Sequence, residues 1–451
     1  MRVGAVHRLI MLLHDAFGQL QVQVEAKRIE DIAVLVHRAM TMQARNYHNL
    51  DHVFTFISSS DPIQTLAALF HDIVYYQVDL GFLPDIREII APYIQESGEE
   101  ISIVDPPPQD DLQFHMTLEV FHLKPGEKLS PRNGLNEFLS AVVMNRELSG
   151  LVSDKDLLKM ILCVEATIPF RGSTDLGESH FDLMEKKLRQ LCKQCQIILT
   201  ESEVQGAIDL AVLFANKDVE NFAEDDVRDF LNITWKLLPE MNVALRSQGV
   251  YTIREFRQAI QRTEGFYSSL NPDHVFHRHR GTPSADEFQR ITRLAHKNIE
   301  TTIQYLRIKL LAQAILEALA LATGGDAPLS LFMGEIPKPG ETVLRLEQFL
   351  PVVDPGPWVD RSSTLYELLY AGRSTDAGFD LNTSPLSLFL YRSLTPVQMD
   401  RALKLGRELF AGRLGAVEFL SQIDCQVVSA VAWASSQMVP TRRNGLLQYV
   451  I

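Results

Sequence analysis

The sequence has little cysteine, no long apolar run and no excess of positive charge, and each shortage removes a class of answer. Four cysteines in 451 residues are too sparse for a disulfide framework, which points to a reducing compartment and a cytoplasmic location. No run of eighteen apolar residues occurs, so no membrane-spanning helix is expected. The opening MRVGAVHRLIMLLHDAFGQL meets His14 and Asp15 too early for the apolar region of a signal peptide. A formal net charge of -14 offers no basic footprint for a phosphate backbone or an anionic membrane, which speaks against a nucleic-acid partner. There is no GxGxxG, no Walker loop and no GxSxG elbow. Dehydrogenase, P-loop and serine-hydrolase readings are left without support.

What is present is a chain that is 46% hydrophobic and 22% charged, the balance of a soluble protein of roughly two to three domains. Apolar residues return at intervals of three and four in EDIAVLVHRAM, TLAALFHDIVYY, DLLKMILCVEA and NIETTIQYLRIKLLAQAILEALALA, the period of helices with one buried face. Strand signals are few, so the expected fold is all-α. Proline, glycine and charge interrupt the pattern at 98 to 134, read as an inserted loop region of about residues 77–134 in which ISIV forms a short strand. ATGGDAPLS, at 322 to 330, reads as a linker. It divides a main domain, 1–322, from a smaller, mainly helical C-terminal region, 323–451, available to a protein partner.

The residues with chemistry to offer cluster early. RNYHNLDH, residues 45 to 52, places His48 and His52 four apart, on one face if the segment is helical. His71 and Asp72 follow, an adjacent imidazole and carboxylate inside apolar AALFHDIVYY. A buried carboxylate is costly without a partner, and a divalent metal ion satisfies a carboxylate and imidazoles together. Asp209 and Asp218 lie nine residues apart on one helical segment, which at about 100° per residue sets them on opposite faces. Only one of them is expected to reach the same place. Cys192 and Cys195 form an isolated CxxC that reads as part of an amphipathic helix. His274, His277 and His279 alternate with arginine, with no carboxylate at ligand spacing, and read as an exposed loop that is solvated or contacts anions.

These residues resemble a known family. Tyr47-His48-Asn49 followed by His52 is similar to the YHNxxH signature of class I cyclic-nucleotide phosphodiesterases and of a group of small bacterial HD proteins. FHDIVY and NEFLSA, with Asn136-Glu137 and Ser140-Ala141, resemble the bacterial group. Both belong to the HD-domain metal-dependent phosphohydrolases, which are all-helical, and the resemblance covers about residues 30 to 240. It implies an HD-domain-like helical bundle in which His52, His71, Asp72 and a last aspartate hold a divalent metal, with Asp72 able to bridge to a second. The context Asp218-Val219-Glu220-Asn221 favours Asp218, with Asp209 the alternative. Mixed nitrogen and oxygen ligation suits Mn, Fe, Zn or Co, and Mg where waters complete the shell.

The implied reaction is hydrolysis of a small phosphate ester, a nucleotide or a cyclic phosphodiester, with His48 protonating the leaving oxygen beside the ligand Asp72. Arg45, Asn49 and Glu137 are candidates to hold the substrate or its water, and Arg171 to hold a phosphate. After Glu165 the bacterial proteins carry a histidine that ATIPFRG lacks, which counts against a second metal. The competing class is a regulatory protein that keeps the fold and the metal without hydrolysis.

Overall fold

The helical period becomes helices whose ends have nameable local causes. The computed structural model describes residues 4–57, 61–98, 100–172, 177–247, 249–337 and 340–451. Up to Asp218 the chain forms α1 (Ala5–Gln19), α2 (Ala26–Met40), α3 (Leu50–Phe56), α4 (Pro62–Phe70), α5 (Tyr76–Asp79), α6 (Pro84–Ile90), α7 (Leu112–Val120), α8 (Leu135–Leu148), α9 (Asp154–Ala166), α10 (His180–Gln194) and α11 (Glu201–Asp218). Asp61 caps α4, accepting from the amides of Ile63 and Gln64, with Pro62 at the first helical position. Thr200 and Glu203 satisfy each other's backbone amides at the start of α11. The fold is all-α: the only sheet among the described residues is three short antiparallel strands, β1 (Ile94–Ser97), β2 (Glu100–Ile103) and β3 (Lys128–Leu129).

The chain divides into two units, residues 1–222 with 271–293, and residues 223–270 with 294–451. At the centre of the first lies α9, apolar almost all round, packed on α4, α7, α8 and α11. A helix without a polar face can only sit inside. Residues 77–134, expected as a loop excursion, contain α6, α7 and the sheet, and bury Ile90, Ile101, Ile103, Phe114 and Met116 in the same core. Three residues of ISIV lie in β2.

The second unit contains α12 (Val227–Met241), α13 (Ile253–Ser269), the part of α14 (Ala285–Thr323) from Leu294 onward, and the shorter α15 (Leu329–Met333), α16 (Thr364–Ala371), α17 (Pro385–Ser393), α18 (Pro396–Phe410), α19 (Ala416–Gln422), α20 (Cys425–Met438) and α21 (Arg443–Leu446). The division therefore does not fall at residue 322. ATGGDAPLS is held inside the second unit, where the Ile253 amide donates to the Ala327 carbonyl over 2.9 Å and the Leu329 amide to the Tyr251 carbonyl over 3.1 Å. Those backbone bonds tie the stretch to a segment some seventy residues earlier, a link that glycine-rich composition does not reveal. No helix among the described residues is long and apolar enough to cross a membrane.

Candidate metal centre

His52 stands in the first turn of α3. Asn49 caps that helix, its Oδ1 accepting from the amides of Asp51 and His52 and its Nδ2 donating 2.8 Å to the Asn46 carbonyl. Both ends of the Asn49 amide are thus engaged locally, and the substrate role considered for it gives way to capping. His48 precedes the cap and is not helical, so His48 and His52 do not share a helix face. Their rings still lie 5.9 Å apart because the chain folds tightly into the helix start.

His71 ends α4, and its Nδ1 lies 2.8 Å from the Ala68 carbonyl. That bond sets Nδ1 as the protonated nitrogen of a neutral ring and turns Nε2 the other way. Nε2 is 3.1 Å from Asp72 Oδ2 and 3.5 Å from Asp218 Oδ1. His52 Nε2 is 3.7 Å and 3.4 Å from the same two oxygens. One nitrogen or oxygen from each of His52, His71 and Asp218 falls within a span of 4.8 Å, an arrangement that can hold a metal ion. Asp218, the last residue of α11, faces this cluster, whereas Asp209, two and a half turns earlier, accepts from Gln205 at 2.9 Å.

The cluster is buried and short of partners. His52 Nε2, His71 Nε2, Asp72 Oδ2 and Glu137 Oε2 are all inaccessible and make no aligned hydrogen bond among the described residues. Burial opposes charge on His71, but Asp72 and Asp218 outweigh it and hold the imidazole well above its ordinary range. Burial likewise opposes charge on Asp72, and the imidazole of His71 keeps that carboxyl well below the usual range. On Glu137 the pull of Arg171 is outweighed: burial, with the charges of Asp72 and Asp218, pushes the carboxyl up to about 7. Two carboxylates beside these rings attract a cation, and they favour the proton on the His71 imidazole.

No family model, curated protein or solved structure matches this chain.

The surrounding residues show which sequence candidates the structure uses differently. Arg45 is buried and its guanidinium is consumed: Nε and Nη2 pair with Asp79, Nη1 donates 2.6 Å to the Asp72 carbonyl and Nη2 also reaches that of Ile73. It braces the His-Asp turn and has no face for a substrate. Arg171 is committed in the same way, to both carboxylate oxygens of Glu165 and to the carbonyls of Glu165 and Ile168. Asn136 accepts from the Tyr76 amide and Ser140 from that of Val74, each at 3.1 Å, so the polar residues of NEFLSA hold the segment that follows Asp72.

The histidine-rich segment is not an exposed loop. His279 is buried 3.2 Å from Asp182, and the amide of His277 donates 2.7 Å to Asn216 Oδ1, two residues before Asp218. Burial, with Arg171 and His180 nearby, lowers the His277 imidazole to about 4. Cys192 and Cys195 sit partly buried at the end of α10 as free thiols. Tyr47 and Tyr75, absent from the sequence candidates, flank His48 with ring centroids 4.8 Å and 4.5 Å away. The tyrosine of YHN was the available signal for the first; nothing in the local pattern marked the second.

Proposed function

We propose that the chain is a metal-dependent phosphohydrolase, with His52, His71, Asp72 and Asp218 as ligands of one divalent ion. The observation that carries this reading is the convergence of His52, His71, Asp72 and Asp218, in which His52 Nε2, His71 Nε2 and Asp72 Oδ2 are buried without an aligned hydrogen bond. Unpaired groups of that kind are expensive to bury, and their nitrogen and oxygen donor set suits Mn, Fe, Zn, Co or Mg. A divalent ion held there would acidify its water toward neutrality and offset charge on phosphoryl oxygens. The chain's own residues supply the rest. His48, at the rim between Tyr47 and Tyr75, donates a proton to the leaving oxygen. Glu137, close enough to Asp72 and Asp218 to feel their charge, accepts from or donates to the attacking water. Arg45 holds the Asp72 backbone so that the carboxylate stays aimed.

The substrate is a small phosphate ester, either a nucleotide or a cyclic phosphodiester, and a protein partner on the C-terminal region is compatible with it. Four unpaired cysteines support a cytoplasmic setting. The test is elemental analysis of the purified protein followed by a phosphate-ester screen with added Mn or Mg. About one equivalent of metal and turnover of at least one ester are expected. Full metal occupancy with no hydrolysis of any ester would replace this reading with a regulatory one.

A further inference from the structure

The second unit encloses a cavity of about 620 Å³, to which none of the proposed metal ligands contributes. That is the size of a site for a small organic molecule. Lys309 and Gln313, one turn apart on α14, both line it and are both buried, at 5% exposure each. Nζ of Lys309 donates 2.9 Å to Asp380 Oδ2, which also accepts from Trp235 Nε1 at 2.8 Å and from Arg373 Nη1 at 3.3 Å. Arg373 is wholly buried. Two buried cations therefore share one carboxylate, and no other acidic side chain among the described residues pairs with either. One positive charge beside the cavity is left without a carboxylate of its own, offset only by ring faces: Lys309 Nζ lies 4.9 Å from the Trp235 centroid and 5.7 Å from those of Phe256 and Tyr305, and Arg373 Cζ lies 4.2 Å from that of Trp235. Such a charge is costly to bury unless something compensates it.

Gln313 adds an unmet hydrogen-bond acceptor to the same wall. Its Oε1 is buried with no partner among the described residues, so internal hydrogen bonding does not account for an amide at this place. The remaining walls are largely apolar, with Phe256, Leu329, Phe379 and Leu386 among them, and also carry Arg345, which pairs with Glu347, and the exposed Glu335.

We propose that this cavity binds a small monocarboxylate carried on an apolar body. The carboxylate meets the N–H groups of Lys309 that Asp380 leaves unused, the apolar part lies against the aromatic and aliphatic wall, and Gln313 Oε1 is left to accept from a donor, such as a hydroxyl, on that body. A single uncompensated charge matches a monoanion better than a phosphate dianion. An ammonium has three donors, of which the described contacts use one.

The experiment titrates the full chain with octanoate, octanol, octylamine and hexyl phosphate by calorimetry and by tryptophan emission. Trp235 is the reporter, since Lys309 Nζ and Arg373 Cζ lie 4.9 Å and 4.2 Å from its ring centroid. Octanoate is expected to bind saturably, at least about tenfold tighter than octanol, and to change an emission that Trp235→Phe removes. Lys309→Met should bring octanoate down to the level of octanol and leave octanol unchanged. Lys309→Gln, which keeps a polar side chain without the charge, should do the same, and it stands as the test if Lys309→Met does not fold. Octanoate binding no better than octanol, preference for octylamine or hexyl phosphate, or indifference to both variants would overturn the assignment.

Discussion

Arg45 Nη1 donates to the backbone carbonyl of Asp72 over 2.6 Å, while the other face of the same guanidinium is locked on the Asp79 carboxylate. Arg45 thus fixes the backbone of Asp72, whose side chain approaches His52 and His71, without itself contacting those two rings. Arg45→Ala would strip a buried carboxylate of its cation and the His-Asp turn of its brace. It is expected to cost about 3 to 5 kcal/mol in urea unfolding and to lower the metal content of whatever folds. Unchanged stability together with full metal occupancy would show that the brace is dispensable.

His48 and His52 should separate proton donation from ligation. His48→Ala is expected to keep near-normal metal while turnover falls by about 10² to 10⁴. On a nitrophenyl ester, whose leaving group needs little protonation, that loss should largely vanish. His52→Ala and Asp72→Ala should lose metal and activity together, with no rescue. Equal metal loss at His48 and His52 would refute the division of roles.

Glu165 supplies a pH-dependent part of the stability. Burial raises its carboxyl, but Arg171 and His180 more than reverse that and hold it at about 2, below its ordinary 4.5. The folded state therefore binds this proton less readily than the unfolded chain does. The resulting stabilisation is complete above about pH 5 and fades as the pH falls from about 4.5 toward 2. Urea midpoints of the unaltered protein and of Glu165→Gln should differ at pH 6, and the difference should be clearly smaller at pH 3. A constant gap across that range would mean that the ion pair adds nothing through its charge.

Asn216 joins two distant stretches through both ends of its amide, donating to the His277 carbonyl and accepting from the His277 amide. Asn216→Ala would leave a buried peptide group unsatisfied, at a cost of about 1 to 3 kcal/mol. Hydrogen exchange should quicken around residues 271–280, with α9 still protected. Uniform quickening across the first unit would instead mean that the segment is part of the global folding core.

Much of this could be read from the chain before it folded. The period of three to four specified helices wherever one face had to be buried. His71 and Asp72 stood out because polar groups with metal-binding chemistry interrupted an apolar run, and His52 because it stands four residues from His48. The resemblance offered Asp209 or Asp218 as the last carboxylate, and helical geometry allowed only one of them to reach the same place. It could not say which side of α11 turned inward, because that depends on how the helix packs against α9.

Tertiary structure also decided how Arg45, Asn49 and Arg171 are used. Each has the chemistry to grip a phosphate, but each spends its hydrogen bonds on the protein itself: Arg45 on Asp79 and the His-Asp turn, Asn49 on the start of α3, Arg171 on Glu165. The division into units escaped composition for a similar reason, since ATGGDAPLS looks like a linker until its backbone bonds to Tyr251 and Ile253 are seen. Residue type and spacing determine what a side chain is able to bind. Which partner takes up that capacity is settled only when segments far apart in the chain are brought within hydrogen-bond range.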